Sequence, residues 1–363
     1  MARLLWKLLL FGLIMLLLSI TVGKFIHSPK NDLPWSYSFD ALHLKREYLR
    51  THQNTFNLLF IGSSSTRRGF VPEIFDHSLD SGLIVRSFNY GVDWMGFPEV
   101  YYMLDNVMKE NLTGTKYIFI ELSKIKIIDY QNMHTARAIY WYNWPDYKFT
   151  VSSILSSASP LQVKLAAIAS HSIGYIDHLL NVGSLNDRND YHNRQKMVND
   201  SLHYMGNSYA GYSGKELHEE SGREHFLRDT SGLTARAINS AQAFEEIERN
   251  PDLIKSCNKV YLDRINLTIK QLKEKGIYPV FVMNPKADPR QYKEILPVFF
   301  SIPPQYRIEI ADSRKYPELY LSAYASDETH LNEEGAILFT RYLAGAFNNL
   351  MYLNRTQNTS AND

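Results

Sequence analysis

The chain has 363 residues, of which 45% are hydrophobic and 13% aromatic, so it can bury a large core in one large domain or in two. The 39 Lys and Arg residues almost balance the 38 Asp and Glu residues, which excludes the basic surface that gathers nucleic acid. Cys257 is the only cysteine, which excludes an internal disulfide and a cysteine-rich zinc site.

An apolar stretch near the N-terminus predicts a membrane segment. Residues 8–23 carry no charge, Arg3 and Lys7 precede them, and Lys24 follows. Residues 4–6 extend the stretch towards the roughly 20 residues of a membrane span if Lys7 snorkels to the interface. We predict a membrane anchor or signal over residues 1–24 and favour an uncleaved anchor over a signal peptide that is cleaved near residue 23. Because the positive charges come first, we expect a single-pass protein of the cytoplasmic membrane, with the chain after residue 24 extracytoplasmic, either periplasmic or extracellular.

After a polar stretch, residues 25–54, which we interpret as a linker, predicted strands and helices alternate. The predicted strands are 57–61, 83–89, 117–122 and 278–283, and the predicted helices are 70–79, 98–108 and 260–275. The strands are continuous apolar runs, which is typical of a parallel sheet covered on both faces. The sequence therefore predicts a three-layer α/β domain made from residues 55–130 and 256–350.

Residues 131–255 interrupt this alternation. The segment is rich in Tyr, His, Asn and Ser, with helical patterns near residues 161–169 and 235–249 and no convincing strand. We interpret it as a mainly helical insertion. It either covers the sheet and faces a ligand or forms a solvated excursion with its own small core.

A cluster of hydroxyl groups follows the first predicted strand, in Gly62-Ser63-Ser64-Ser65. Ligands of parallel α/β sheets bind at the carboxyl ends of the strands. A serine at the start of the next helix can be a nucleophile whose own N–H helps to hold an oxyanion. Serine is also a favoured helix N-cap, so the motif by itself leaves both roles open.

One histidine among the twelve has a neighbour that suits catalysis. Asp327 lies three residues before His330, in a short loop before an apolar helix for which Asn332 is the predicted N-cap. This spacing lets the carboxylate orient the imidazole while its other nitrogen faces a hydroxyl group. Alternatively, the acidic residues of the loop only complement the helix dipole. No histidine pair has convincing metal-ligand spacing, and we predict no metal site.

Three blocks carry a family resemblance. IGSSS after the first strand, SFNYG after the second and DETHLNEEGA before the last helix resemble, in this order, blocks of the SGNH (GDSL-like) hydrolase superfamily. The resemblance spans residues 57–345 apart from the insertion, and it implies a flavodoxin-like three-layer sheet without a cofactor. It also implies a catalytic triad of Ser64, His330 and Asp327, with the backbone amides of Ser64 and Gly91 as oxyanion donors.

Two departures from the family pattern concern the oxyanion donors. In the second block the next glycine after Gly91 is Gly96, so either amide fits the family's donor, and we choose Gly91. The third block of the family supplies a side-chain amide, whereas the matching strand here ends in IELSKIK. The loss of one oxyanion donor typically lowers turnover by about 10²–10³, so a slow enzyme or an inactive relative stays open.

The N-terminal anchor and the altered third block resemble membrane-anchored SGNH proteins that accompany O-acylation of cell-envelope polysaccharides. The resemblance implies an esterase or O-acetyltransferase-like enzyme that acts on an acylated carbohydrate or lipid-linked glycan. The alternative is a weak or inactive protein of the same fold that binds glycan or docks on a membrane-bound acyltransferase.

Overall fold

A computed structural model describes residues 2–26, 39–52, 54–93, 95–96, 99–110, 113–123, 143–157, 159–180, 205–206, 210–214, 226–286 and 289–360, and the structural statements below concern these residues. The chain divides into two compact units. Unit 1 comprises Met1–His43 and Ile127–Asp200, and unit 2 comprises Leu44–Lys126 and Ser201–Asp363.

The elements follow one another in this order. The helices are α1 (Ala2–Ile26), α2 (Phe39–Thr51), α3 (Ser64–Gly69), α4 (Pro72–His77), α5 (Glu99–Lys109), α6 (Trp144–Leu155), α7 (Leu161–Leu180), α8 (Ser231–Arg249), α9 (Lys259–Glu274), α10 (Pro289–Ser301) and α11 (Glu333–Ser360). The strands are β1 (Leu58–Gly62), β2 (Ser87–Gly91), β3 (Tyr117–Glu121), β4 (Tyr278–Met283) and β5 (Arg307–Glu309).

Unit 2 contains a five-stranded sheet in the order β2-β1-β3-β4-β5, and every neighbouring pair is parallel. This confirms the predicted parallel α/β sheet. The strand order reverses between β1 and β3, which is the place where doubly wound sheets bind their ligands. Strand β5 was not predicted because three residues are too few to give a sequence pattern.

The central strands β1 and β4 are apolar, and β3 is apolar up to its last residue, because both faces of the sheet are covered. On one face, Leu58 and Phe60 of β1 join a core cluster with Phe75 of α4 and Phe347 of α11. The alternate side chain Ile61, on the other face, is also fully buried. Each such side chain contributes about 1.5–3 kcal/mol to stability, and together they hold the carboxyl ends of the strands rigidly.

Helix α2 lies in the segment that the sequence analysis interpreted as a linker. Its polar sequence contains Lys45, which is fully buried and donates to three main-chain carbonyl oxygens: Asn89 O at 2.9 Å, Gly91 O at 2.7 Å and Gly211 O at 2.7 Å. Burial lowers the pKa of Lys45 well below the usual lysine value, and the charge of Arg67 acts in the same direction. The helix was missed because a buried lysine resembles a solvated one in sequence.

In unit 1, helices α6 and α7 pack side by side. Tyr147 stacks on Tyr175 with ring centroids 4.6 Å apart, and the Tyr147 hydroxyl lies 2.7 Å from Ser172 Oγ. His171 of α7 is fully buried, and burial lowers its pKa from 6.5 to about 4. The described parts of residues 131–255 thus contain α6, α7 and α8, and no strand lies in those parts.

Helix α1 matches the predicted membrane segment. Within the described part of the chain it is the one helix long and apolar enough to cross a membrane, over residues Arg3–Thr21, and none of this span is buried inside the protein. Its leucines are about half exposed, so an apolar surface of this length lacks a protein cover.

Candidate active site

The turn between β1 and α3 places Ser64 at the carboxyl end of the sheet, beside the strand-order reversal. Ser63 is the N-cap of α3, and its Oγ accepts a hydrogen bond from Ser65 N at 3.2 Å. A Cβ atom at Gly62 would lie 2.0 Å from Thr66 Oγ1, so only glycine lets the chain turn this tightly. Ser64 is the first residue of the helix and is partly exposed.

The three predicted triad residues meet in unit 2. His330 Nε2 lies 2.9 Å from Ser64 Oγ, and His330 Nδ1 lies 3.0 Å from Asp327 Oδ2 and 3.1 Å from Asp327 Oδ1. With Nδ1–H donating to the carboxylate, Nε2 presents its lone pair to the serine hydroxyl. The side chains of His330 and Asp327 are 18% and 25% exposed, so the group is reachable from solvent.

The loop around Asp327 is held by its own hydrogen bonds. Asp327 Oδ1 accepts from Thr329 N at 2.7 Å, Thr329 Oγ1 at 2.8 Å and His330 N at 2.8 Å. An antiparallel bridge between Ala325 and Leu331 closes the loop. The carboxylate therefore has a fixed orientation before any ligand binds. Thr329 was missed by the sequence analysis because a hydroxyl next to a histidine gives no pattern of its own.

The amide of Gly91, which we expect to hold an oxyanion, has a partner within the protein. Gly91 N donates to Asn89 Oδ1 at 2.9 Å, and Gly96 N donates to Glu99 Oε2 at 3.0 Å. A Cβ atom at Gly91 would lie 2.3 Å from Arg67 N, so glycine is needed here for the close approach of α3. The Gly91 amide is therefore already paired within the protein, and its role as an oxyanion donor stays a prediction. The amide of Ser64, the other predicted donor, belongs to the first turn of α3, where amides have no intrahelical partner.

Asn89 anchors the helix that carries Ser64. Its Nδ2 donates to three main-chain oxygens: Thr66 O at 2.8 Å, Arg67 O at 3.1 Å and Phe70 O at 2.6 Å. Because Asn89 is buried on β2, the amide ties the end of α3 to the sheet. The asparagine of the SFNYG block thus positions the nucleophile turn and does not face a ligand.

A buried ion pair that the sequence analysis missed lies under the same turn. Glu121, at the end of β3, accepts from Ser63 N at 2.8 Å, from Ser63 Oγ at 2.9 Å and from Thr66 Oγ1 at 2.8 Å. Lys286 Nζ donates to Glu121 Oε1 at 3.2 Å, and the two side chains are 5% and 3% exposed. Burial opposes the charge of Glu121, but Lys286 and the three donors outweigh it and hold the pKa of Glu121 below its usual value. The only sequence signal was an acidic residue at the end of an apolar strand.

A second buried charge cluster lies on the other side of α3. Arg67, which is 2% exposed, forms an ion pair with Asp93, and Arg68 lies 3.3 Å from the same carboxylate. Burial disfavours the charged form of Asp93, but the two guanidinium groups outweigh it and hold the pKa of Asp93 below its usual value. Two arginines thus share one carboxylate.

The described part of the chain offers no group of three or more His, Cys, Asp or Glu side chains that could hold a metal ion. In comparisons with known proteins, no family model, curated protein or solved structure matches the chain.

Proposed function

We propose that the protein is a serine esterase or O-acyltransferase of the SGNH type. The single observation that carries the proposal is the continuous hydrogen-bonded chain from Ser64 Oγ through His330 to Asp327, at the carboxyl end of a parallel sheet. Serine, histidine and aspartate in this order are the arrangement that activates a hydroxyl group for attack on an acyl carbonyl.

In the proposed reaction, Ser64 Oγ attacks the ester carbonyl while His330 Nε2 takes the hydroxyl proton. The carbonyl oxygen becomes an oxyanion, towards which Ser64 N–H donates. Collapse of this intermediate breaks the ester C–O bond, and His330 gives its proton to the leaving alcohol. Water or a sugar hydroxyl then attacks the acyl-enzyme with His330 as the base, the bond between Ser64 Oγ and the acyl carbon breaks, and His330 returns the proton to Ser64 Oγ. Asp327 keeps the imidazole in the required tautomer and stabilises its charged form.

The cellular setting and the substrate class are part of the proposal. The exposed apolar surface of α1, with Arg3 and Lys7 near its start, supports a membrane anchor with the catalytic unit outside the cytoplasm. The resemblance to envelope O-acylation proteins supports an acylated cell-envelope glycan or lipid-linked carbohydrate as substrate.

A second candidate function is favoured by the oxyanion region. The amides of Gly91 and Gly96 already have protein partners, and Glu121 replaces the family's amide side chain at the end of β3. An oxyanion held by fewer donors reacts slowly. The alternative is therefore a protein of this fold that binds glycan, or docks on a membrane-bound acyltransferase, without turnover.

Covalent labelling separates the two candidates. The full chain in detergent is treated with a fluorophosphonate probe and, separately, with an aryl acetate, and the acyl-enzyme is sought by mass spectrometry. We expect labelling that disappears in Ser64→Ala and persists in Ser78→Ala, a partly exposed serine at the end of α4. If the wild-type chain gains neither adduct, the binding candidate replaces the enzyme.

A further inference from the structure

A small pocket in unit 2 opens next to the triad. It is lined by Arg68 of α3, Arg236 of α8, Asn284 and Pro285 after β4, and Thr329 and His330 of the triad loop. The lining contains two guanidinium groups and no carboxylate. Because His330 borders both this pocket and Ser64, whatever the pocket holds lies beside the reacting serine.

Asn284 is the first unusual feature of the pocket. The residue is 3% exposed, and among the described residues neither its amide nitrogen nor its amide oxygen has a hydrogen-bond partner. More than nine in ten buried polar groups in folded proteins are paired, because an unpaired buried amide is costly. An unpaired amide that lines a pocket at the end of a strand is typical of a residue that binds a ligand.

Arg236 is the second unusual feature. The residue is 4% exposed, and its guanidinium donates only to main-chain oxygens: Nε to Lys286 O at 3.2 Å and Nη1 to Glu328 O at 2.8 Å. No carboxylate within the described residues lies at ion-pair distance from it. The two carbonyl groups and the ring of Tyr320, 5.5 Å from the guanidinium carbon, fix its orientation without neutralising its charge.

Two of the neighbouring carboxylates are already committed, and a third, the exposed Glu328, lies against Gly232 of α8 and not at ion-pair distance from Arg236. Asp93 is shared by Arg67 and Arg68, and Asp327 is bound to His330. Arg236 therefore has no direct ion pair among the described residues, and its buried guanidinium attracts an anion more strongly than an exposed one would. A guanidinium fork beside an amide N–H is also a donor arrangement that suits the oxygens of a carboxylate or a phosphate.

We propose that this pocket binds an oxyanionic group, a carboxylate or a phosphate, that the ester substrate itself carries. The inference rests on the proposed acyl-transfer function and narrows its substrate class to acidic esters. Arg236 supplies the charge, Asn284 donates from its amide, and the bound anion holds the ester carbonyl beside Ser64.

The first test compares two esters with the same reacting bond, 3-acetoxybenzoate and its methyl ester, with the full chain in detergent. We expect kcat/KM to favour the carboxylate by about tenfold or more, as for a charge-assisted hydrogen bond. Arg236→Gln should reduce this ratio towards one, and Asn284→Asp, which adds a negative charge to the pocket, should also reduce it. Arg249→Gln, an exposed position on the same helix, is the control that keeps the ratio. Equal kcat/KM for the two esters in the wild-type chain would overturn the inference, and this comparison requires no variant to fold.

The second test separates the pocket from the chemistry. Binding of benzoate and of inorganic phosphate to the Ser64→Ala chain is measured by calorimetry, with and without Arg236→Gln. Saturable binding that Arg236→Gln removes supports the pocket even if the wild-type chain cleaves neither ester, in which case only the proposed function fails. Cleavage of both esters at equal rates without anion binding leaves the esterase and overturns the pocket. The anion that binds more tightly distinguishes a carboxylate-bearing substrate from a phosphate-bearing one.

Discussion

Glu121→Gln should destabilise the protein and slow its chemistry, because it removes the negative charge under the nucleophile turn while preserving the shape of the side chain. Glu121 is 4% exposed and accepts from Ser63, Thr66 and Lys286. The glutamine keeps one acceptor oxygen, but its NH2 group faces groups that also donate, and the Lys286 ammonium is left without its counter-charge.

The magnitude follows from the burial of both partners. Removing one member of a buried ion pair typically costs about 3–5 kcal/mol, a large part of the roughly 5–15 kcal/mol that stabilises a domain. We expect this loss in urea unfolding of the full chain at neutral pH. The double variant Glu121→Gln/Lys286→Met should recover most of it, to within about 2 kcal/mol of wild type, because the unpaired charge is then gone. Glu110→Gln is the matched control: its pair with Arg46 is partly exposed and contributes at most about 1 kcal/mol.

Activity gives a second readout. Because Glu121 fixes Ser63 and the start of α3, the single variant should lower kcat for an aryl acetate more than it raises KM. A Glu121→Gln chain that unfolds at the wild-type urea midpoint and keeps its kcat would refute the view that a charged Glu121 holds this turn.

Three further predictions concern charged groups. Asp327→Asn should lower kcat for an aryl acetate by about 10³–10⁴ with little change in KM, since the imidazole loses its orienting acceptor, and a loss below tenfold would contradict the proposed triad. The lowered pKa of Asp93 means that its stabilisation is complete above about pH 4 and declines as pH falls further. The free energy of unfolding, measured in urea at a series of pH values, should therefore depend less on pH in Asp93→Asn than in the wild type. Asp105→Asn should keep the wild-type dependence, because the pair of Asp105 with Arg264 is more exposed. Because the pKa of His171 is about 4 in the folded chain, the unfolded chain takes up a proton at His171 at a higher pH than the folded chain does. The stability of unit 1 should therefore fall by about 3 kcal/mol as the pH is lowered from 6.5 to 4. Amide exchange in α7 measures this loss, and His171→Leu should abolish its pH dependence.

The sheet was predictable because its strands carry their information locally. Three of the predicted strands are mainly apolar runs that end at a turn, and β4 was located at its observed bounds, Tyr278–Met283. The second predicted strand, 83–89, contains polar residues, and the observed β2 begins later, at Ser87, and ends at Gly91. Helix ends were predictable where capping residues set them. Asn332 Oδ1 accepts from Gly335 N at 2.8 Å at the start of α11, and Gly276 has a positive φ of 73° just after α9. These features follow from nearest neighbours along the chain.

The residues that were missed act through contacts distant in sequence. Glu121 and Lys286 are 165 residues apart, and each resembles an ordinary surface charge until the sheet brings β3 and β4 together. The surroundings of Gly91 have the same origin: the glycine is recognisable in the sequence, but its closeness to Arg67 and the hydrogen bond of its amide to Asn89 depend on how α3 crosses the strand ends. Sequence patterns predicted which residues would form the turn, whereas the partners of each amide required coordinates.

Lys45 has a consequence for the behaviour of the protein in solution. Strand β2 is the outermost strand of its sheet, and outermost strands invite pairing with strands of other molecules. Here Asn89 N donates to Ala210 O at 2.8 Å, and the Lys45 ammonium donates hydrogen bonds to the carbonyl oxygens of Asn89 and Gly91. The backbone groups that a foreign strand would need are thus occupied by the chain itself, and the opposite margin, β5, is only three residues long. One buried lysine therefore helps to protect the sheet against edge-to-edge aggregation.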